Sequence, residues 1–169
     1  MDLQFKQIEA KLLNATYWNY DLYNTETEKD NWNCENFSLL GPHHEFRQRD
    51  VVVRPYPMRS SAEPTLLLFD IGTKHCVIAL QGSTVSAATI IYVPNLHYPE
   101  GFEVRATGAT LDWDASRQLL EWMPDTTRER NQVIICPPDA FDAETLPSQV
   151  QESLPFTPFL GRFSSLGVL

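Results

Sequence analysis

Hydrophobic and polar positions change rhythm once along this chain. Over residues 2–13, Phe5, Ile8 and Leu12 recur at helical spacing, Met1 extends the stripe back one turn, and Asp2 stands in the first turn, where a carboxylate suits the positive end of the helix dipole. The stripe is short and one-sided, which predicts a helix lying against a larger β-structure.

From Thr16 the period becomes two. Thr16 to Tyr23 sets Tyr17, Asn19, Asp21 and Tyr23 on one side and Trp18, Tyr20 and Leu22 on the other. Asn24 to Asn33 reads as a polar loop with Trp32 anchoring its far end, and Phe37 to Leu40 is a short apolar piece stopped by Gly41-Pro42. Strand-like runs then follow over 46–56, 65–71, 74–80, 84–93, 102–113, 118–123 and 132–136, separated by turn residues such as Gly72-Thr73, Gln81-Gly82-Ser83 and Asp114-Ala115-Ser116-Arg117. That makes about eight short strands at spacings of roughly ten residues, the mark of an antiparallel barrel or sandwich. Helical patterns do not separate the strands, so βαβ units are excluded. The expected fold is mainly β: an antiparallel up-and-down barrel of lipocalin-like topology, or a β-sandwich. The lipocalin Gly-x-Trp entry motif is not present.

The expected organisation is a single domain over 1–169, with a helix at 2–13, an antiparallel body over 16–136 and an irregular proline-rich tail over 137–169. A chain of 169 residues buries roughly 70% of its unfolded surface without disulfide or metal. In the tail, Ser148 to Ser153 carries a helix-start pattern with Ser148 as cap and Gln151 after it, while Phe156 to Phe163 is apolar enough to pack back on the body or on a partner.

Charge narrows the partners. Thirteen basic against 22 acidic residues leave a formal −9, which repels phosphate backbones and anionic membrane surfaces, so neither nucleic acid nor membrane is expected. Arg47, Arg49 and Arg54 are the one local basic group, interrupted by Asp50. Cys34, Cys76 and Cys136 are far apart and form no C-x-x-C pair, and the start Met1-Asp2-Leu3-Gln4-Phe5-Lys6 has no signal-peptide character. A cytoplasmic location is the resulting expectation.

Motifs add little chemistry. Phe69-Asp70-Ile71-Gly72-Thr73-Lys74 resembles the phosphate loop of actin-like ATPases and sugar kinases, a resemblance that implies nucleotide binding at a hairpin. It covers only this short stretch, and the second domain and second motif of that superfamily are missing, so a strand ending in a glycine turn is the expected structure. His43, His44 and Glu45 are metal-ligand types, yet neighbouring histidines on a strand point to opposite faces, and no bound metal or other cofactor is expected. Cys76 and Cys136 lie in apolar runs and read as small core residues.

What remains is polar residues at alternate positions of apolar strands. If those mixed faces turn inward, Arg54 and Arg105 are placed to pair an acidic group of a small amphiphilic ligand, with Tyr56, Trp113 and Trp122 against its flat apolar body. The leading expectation is therefore small-molecule binding in a β-barrel interior. A barrel enzyme (isomerase, cyclase or cofactor-attaching lyase) is the second, using Asp50, Glu103, Asp112 or Glu121 as an acid or base raised by burial. An acidic adaptor or inhibitor, docking a basic protein through loop 24–36 and the tail, is the third.

Overall fold

A computed structural model describes residues 1–29, 34–82, 85–108, 110–142, 144, 146, 150 and 159–164. The expectations for Trp32, for Ala109, for Ser83-Thr84 and for the Ser148–Ser153 helix apart from Val150 lie outside the described residues. The chain divides into two units: residues 1–13 with 54–169, and residues 14–53.

Among the described residues, the first unit holds a helix, α1 (Asp2–Ala10), and nine strands: β1 (Tyr56–Arg59), β2 (Pro64–Phe69), β3 (Cys76–Gln81), β4 (Thr89–Tyr92), β5 (Phe102–Ala106), β6 (Thr110–Asp114), β7 (Leu119–Met123), β8 (Arg130–Cys136) and β9 (Phe159–Phe163). They form two antiparallel sheets, ordered β1-β4-β7-β6 and β2-β3-β8-β5-β9. An up-and-down barrel pairs successive strands all round. Here, among the described strands, only β2–β3 and β6–β7 pair in succession, while β2, β4, β5, β6 and β8 each lie in the opposite sheet from the strand before. The barrel is thus corrected to a sandwich-like pair of open sheets.

One core lies between the sheets. Cys76, Ile78 and Leu80 from β3, Phe102, Val104 and Ala106 from β5, and Val133 and Ile135 from β8 meet Ile91 of β4 with Leu120 and Trp122 of β7. The alternate residues of the larger sheet, Leu66, Val77, Ala79 and Ile134, are buried in a second cluster with Leu146 and Val150. The unbroken apolar run of β3 follows from this, since a strand covered on both faces has no polar side to show.

Several boundaries differ from the sequence reading. The run 102–113 is not one strand. It breaks at Gly108, whose φ of +126° is closed to side chains and where a Cβ would come within 2.1 Å of the Met123 carbonyl oxygen, and β5 and β6 join different sheets. The 114–117 turn does close a hairpin, with the Asp114 carboxylate accepting from the Ser116 hydroxyl (2.6 Å) and the Arg117 amide (3.1 Å). The tail is not wholly irregular, because β9 pairs with β5 along Phe102–Ala106.

The 14–53 unit carries isolated bridges (Thr25–Lys29 and Leu40–Phe46) and one helical turn, α2 (Arg49–Val52). Thr16–Tyr23 is not a strand. Its polar positions bond locally instead: Asp21 caps the Tyr23 amide (2.8 Å), and the Ser38 hydroxyl accepts from the Asp21 and Leu40 amides. Buried Asn24 donates to the Leu40 carbonyl (2.6 Å), and Arg47 donates to the Ser38 and Asn36 carbonyls. The strand expected over 46–56 is replaced by α2, entered through a left-handed Gln48, and extended structure resumes only at Tyr56.

Candidate functional site

α1 is held by charge more than by its apolar stripe. Phe5 and Ile8 are only half-buried, and the one fully buried residue of the helix is Glu9. Its carboxylate receives the Nε and Nη2 of buried Arg54, whose guanidinium also donates to Asp2 (3.0 Å) and the Phe69 carbonyl (2.9 Å) and lies 4.9 Å from the Phe69 ring centroid. Lys6 adds a bond to Asp70 at 2.9 Å. Burial alone would raise the Asp2 carboxyl, but bonds from Arg54 and Lys6 outweigh it and hold the group below its usual range.

The stretch likened to a phosphate loop is a turn closed on itself. Asp70 Oδ1 accepts from the amides of Gly72 (2.9 Å) and Thr73 (2.8 Å) and from the Thr73 hydroxyl (3.2 Å). Those are the amides a phosphate would need, and the chain's own carboxylate occupies them. The Thr73 amide is the main reason the Asp70 carboxyl is pushed down to about 2, with Lys6 assisting.

Beside this turn α1, β2 and β3 enclose a half-open cleft of ≈ 320 Å³. Its apolar wall is Leu68, Phe69, Val77, Leu146 and Ala10, and its polar groups include Lys6, Asp70, Thr73 and His75. His75 is 7% exposed, and neither ring nitrogen has a hydrogen-bond partner. Burial pushes its pKa below the usual 6.5, opposed by the nearby Thr73 backbone and by the charges of Asp70 and Asp142. The folded state then binds fewer protons than the unfolded one as pH falls below about 6.5, so stability is lost on acidification through that window, by up to about 1.4 kcal/mol per pH unit. Thermal melts at pH 7.5 and 5.5 are expected to show a lower Tm at the acid value, and His75→Phe is expected to remove much of that difference.

The residues expected to line a ligand pocket do not share one. Arg54 belongs to the α1 network. Tyr56 is exposed on edge strand β1, its ring 5.8 Å from that of Tyr92. Arg105 lies on the outer side of β5, its guanidinium carbon 3.4 Å from the centroid of the Phe141 ring. Trp113 meets Phe102 edge-on and donates to the Ser164 carbonyl (2.9 Å). Trp122 is fully buried between the sheets and donates to the Thr107 carbonyl (2.6 Å).

The carboxylates considered as acid or base are also dispersed. Glu103 is buried on the outer side of β5, where it pairs with Arg162 and accepts from the Asp139 amide (3.2 Å). Asp112 and Glu121 are exposed and face each other across β6 and β7. Asp50 is exposed on α2. Glu45 turns back on its own loop to accept from the His43 amide (3.0 Å). His75 enters the sequence reading only as a candidate third ligand, with His97, for a metal at His43 and His44; its place between a turn and a continuous apolar strand is the one signal of a buried imidazole.

Among solved structures, sterylglucosidase 1 of Cryptococcus neoformans superposes with a TM-score of 0.70 at 22% identity, over 82% of this chain and 23% of that one. Endo-glycoceramidase II from Rhodococcus gives 0.62 at 17% identity, over 80% and 28%. Among curated proteins, a glucosylceramidase of Rhizopus delemar is 30% identical over 124 residues, 58% of this chain and 18% of the relative. A glucosylceramidase of Cryptococcus neoformans is 26% identical over 158 residues, 75% of this chain and 21% of its own length. The chain therefore spans about a fifth of the length of these curated relatives. Such relatives overturn the reading of this chain as a lipocalin-like ligand-binding barrel. The family model that matches is the glycoside hydrolase family 5 C-terminal domain, over residues 54–135, from Arg54 through nearly all of β8.

Proposed function

We propose that this chain serves as the C-terminal region of a glycosidase that cleaves a lipid-linked β-glucoside, with the sandwich as a non-catalytic domain of that enzyme. The observation that carries this is the family match over 54–135 within a chain that matches only about a fifth of the length of its curated glucosylceramidase relatives. The carboxylates of the sandwich support it, because Glu103 is engaged with Arg162 while Asp112 and Glu121 stand in solvent. Neither arrangement offers the paired, cleft-facing carboxyl groups that glycoside hydrolysis uses. Exposed Trp18, Tyr20, Leu22 and Tyr23 in the 14–53 unit leave apolar area of the kind protein contacts cover. On this reading the protein partner is the remainder of a glycosidase.

The test is a chimera in which this chain replaces the matching C-terminal region of the Rhizopus glucosylceramidase. The isolated chain is expected to release no glucose from a fluorescent short-chain glucosylceramide, and the chimera is expected to restore hydrolysis lost on truncation. Glucose release by the isolated chain, or a folded chimera as inactive as the truncated enzyme, overturns the proposal.

A further inference from the structure

The 14–53 unit carries its burial inside out. Buried Asn24 and Ser38 hold its loops through bonds to the Leu40 carbonyl and to the Asp21 and Leu40 amides. Its rings face outward instead, with Trp18 at 66%, Tyr20 at 56% and Tyr23 at 83% exposed, beside exposed Leu22, Phe37 and Phe46. The two stretches that bear them are tied together. The Tyr17 hydroxyl donates to the Phe37 carbonyl (2.8 Å), the Leu39 amide donates to the Asn19 carbonyl (2.9 Å), and the Tyr20 and Phe46 rings are 6.3 Å apart. Rings held in water by a polar framework are set up for burial elsewhere, because each covers a large apolar area and its ordering is already complete.

Two boundaries indicate what covers them. The unit ends at Val53 and the match to the C-terminal domain family begins at Arg54, so the unit stands outside the matched domain. Its fold is nevertheless shared with a glycosidase. The Cryptococcus sterylglucosidase superposes over 82% of this chain, and residues 1–13 with 54–169 make up a smaller share than that, so the superposed part reaches into 14–53. Charge points the same way: Glu26, Glu28 and Glu35 are exposed in the unit, whereas Lys29 and Arg47 are spent on backbone carbonyls. An apolar face beside carboxylates suits a protein surface with cations at its rim better than an anionic lipid surface.

We propose that residues 14–53 belong with the catalytic part of the enzyme rather than with the sandwich, and that Trp18, Tyr20, Leu22 and Tyr23 are buried against that part. The covering surface is apolar at its centre and carries lysine or arginine opposite Glu26 and Glu28. This assignment rests on the proposed function and adds to it a domain boundary between Val53 and Arg54 and the chemistry of the contact.

The experiment compares the isolated full chain with the chimera described above. Hydroxyl-radical oxidation read by mass spectrometry, with a free peptide setting the radical dose, is expected to label Trp18, Tyr20, Leu22 and Tyr23 at least fivefold more slowly in the chimera. The double variant Leu22→Asp with Tyr23→Asp is expected to leave the urea midpoint of the isolated chain unchanged, since both side chains stand in solvent there. In the chimera the same pair is expected to lower glucose release at least tenfold, because it places two carboxylates in a dry contact. Equal labelling in the two proteins, or a chimera indifferent to the two aspartates, overturns the proposal. An active chimera whose four residues are labelled as fast as in the isolated chain would remove this contact alone. A folded but inactive chimera in which they are protected would keep the contact and remove the claim that the chain completes a working enzyme.

Discussion

Replacing Arg54 with methionine is expected to lower the free energy of unfolding by about 3–5 kcal/mol, because it leaves the Glu9 carboxylate buried without its partner. Both side chains are nearly inaccessible, at 5% and 8% exposed, and the guanidinium also serves the Asp2 carboxylate and the Phe69 carbonyl. A loss of this size is a large part of the 5–15 kcal/mol that holds an ordinary domain together. It should be accompanied by release of α1, since Phe5 and Ile8 bury too little to keep the helix docked. The double variant Arg54→Met with Glu9→Leu is expected to recover much of the loss, because two apolar groups of similar size leave no uncompensated charge. Urea unfolding of the parent, both single variants and the double variant measures the coupling directly. Additive losses, or a cost below about 1 kcal/mol for Arg54→Met, would show that the pair does not hold the helix.

The same pair marks where sequence reading stops. Helix α1 was legible from Phe5 and Ile8, and the strands of the sandwich from period-two runs between turn residues. What docks the helix was not legible, because Glu9 and Arg54 are 45 positions apart and nothing local ties them. Arg54, read as a ligand-pairing arginine, spends its donors inside the fold.

Sheet membership was lost for a related reason. Alternation tells which side chains share a face of one strand, but not which sheet the strand enters. Gly108 was the available warning within 102–113, since a glycine inside a strand pattern often marks a break or a close backbone approach. Without it, Arg105 and Trp113 were placed on one inward face. In the structure Arg105 lies on the outer side of the larger sheet, and Trp113 flanks the inter-sheet core. Thr16–Tyr23 shows the opposite failure: its alternation is genuine, yet side-chain bonds from Asp21 and Ser38 give its backbone other partners. The His75 cleft was illegible because it is assembled from α1, β2, β3 and Leu146, and only tertiary structure reveals that an imidazole there lacks partners.

Trp122 separates the two architectures by experiment. On the barrel reading it is a wall of a ligand cavity, and Trp122→Ala would enlarge that cavity at modest cost in stability. In the sandwich it is among the largest fully buried side chains, packed with Ile91 and Leu120 against the larger sheet, and its Nε1–H is the partner of the Thr107 carbonyl. Truncation there removes the ring from the centre of the core, leaves a cavity that neighbours cannot fill, and strands a buried carbonyl. The expected loss is about 3–5 kcal/mol, with up to about 1–3 kcal/mol more for the unsatisfied oxygen. Trp122→Phe keeps most of the volume and loses only the N–H, so it is expected to fall well short of the alanine variant. Denaturant unfolding followed by far-UV circular dichroism, with intrinsic fluorescence from the remaining tryptophans as a second probe, ranks the two variants. A loss below about 1 kcal/mol for Trp122→Ala would mean the residue is not at the centre of the inter-sheet core, and the sandwich packing described here would have to be withdrawn.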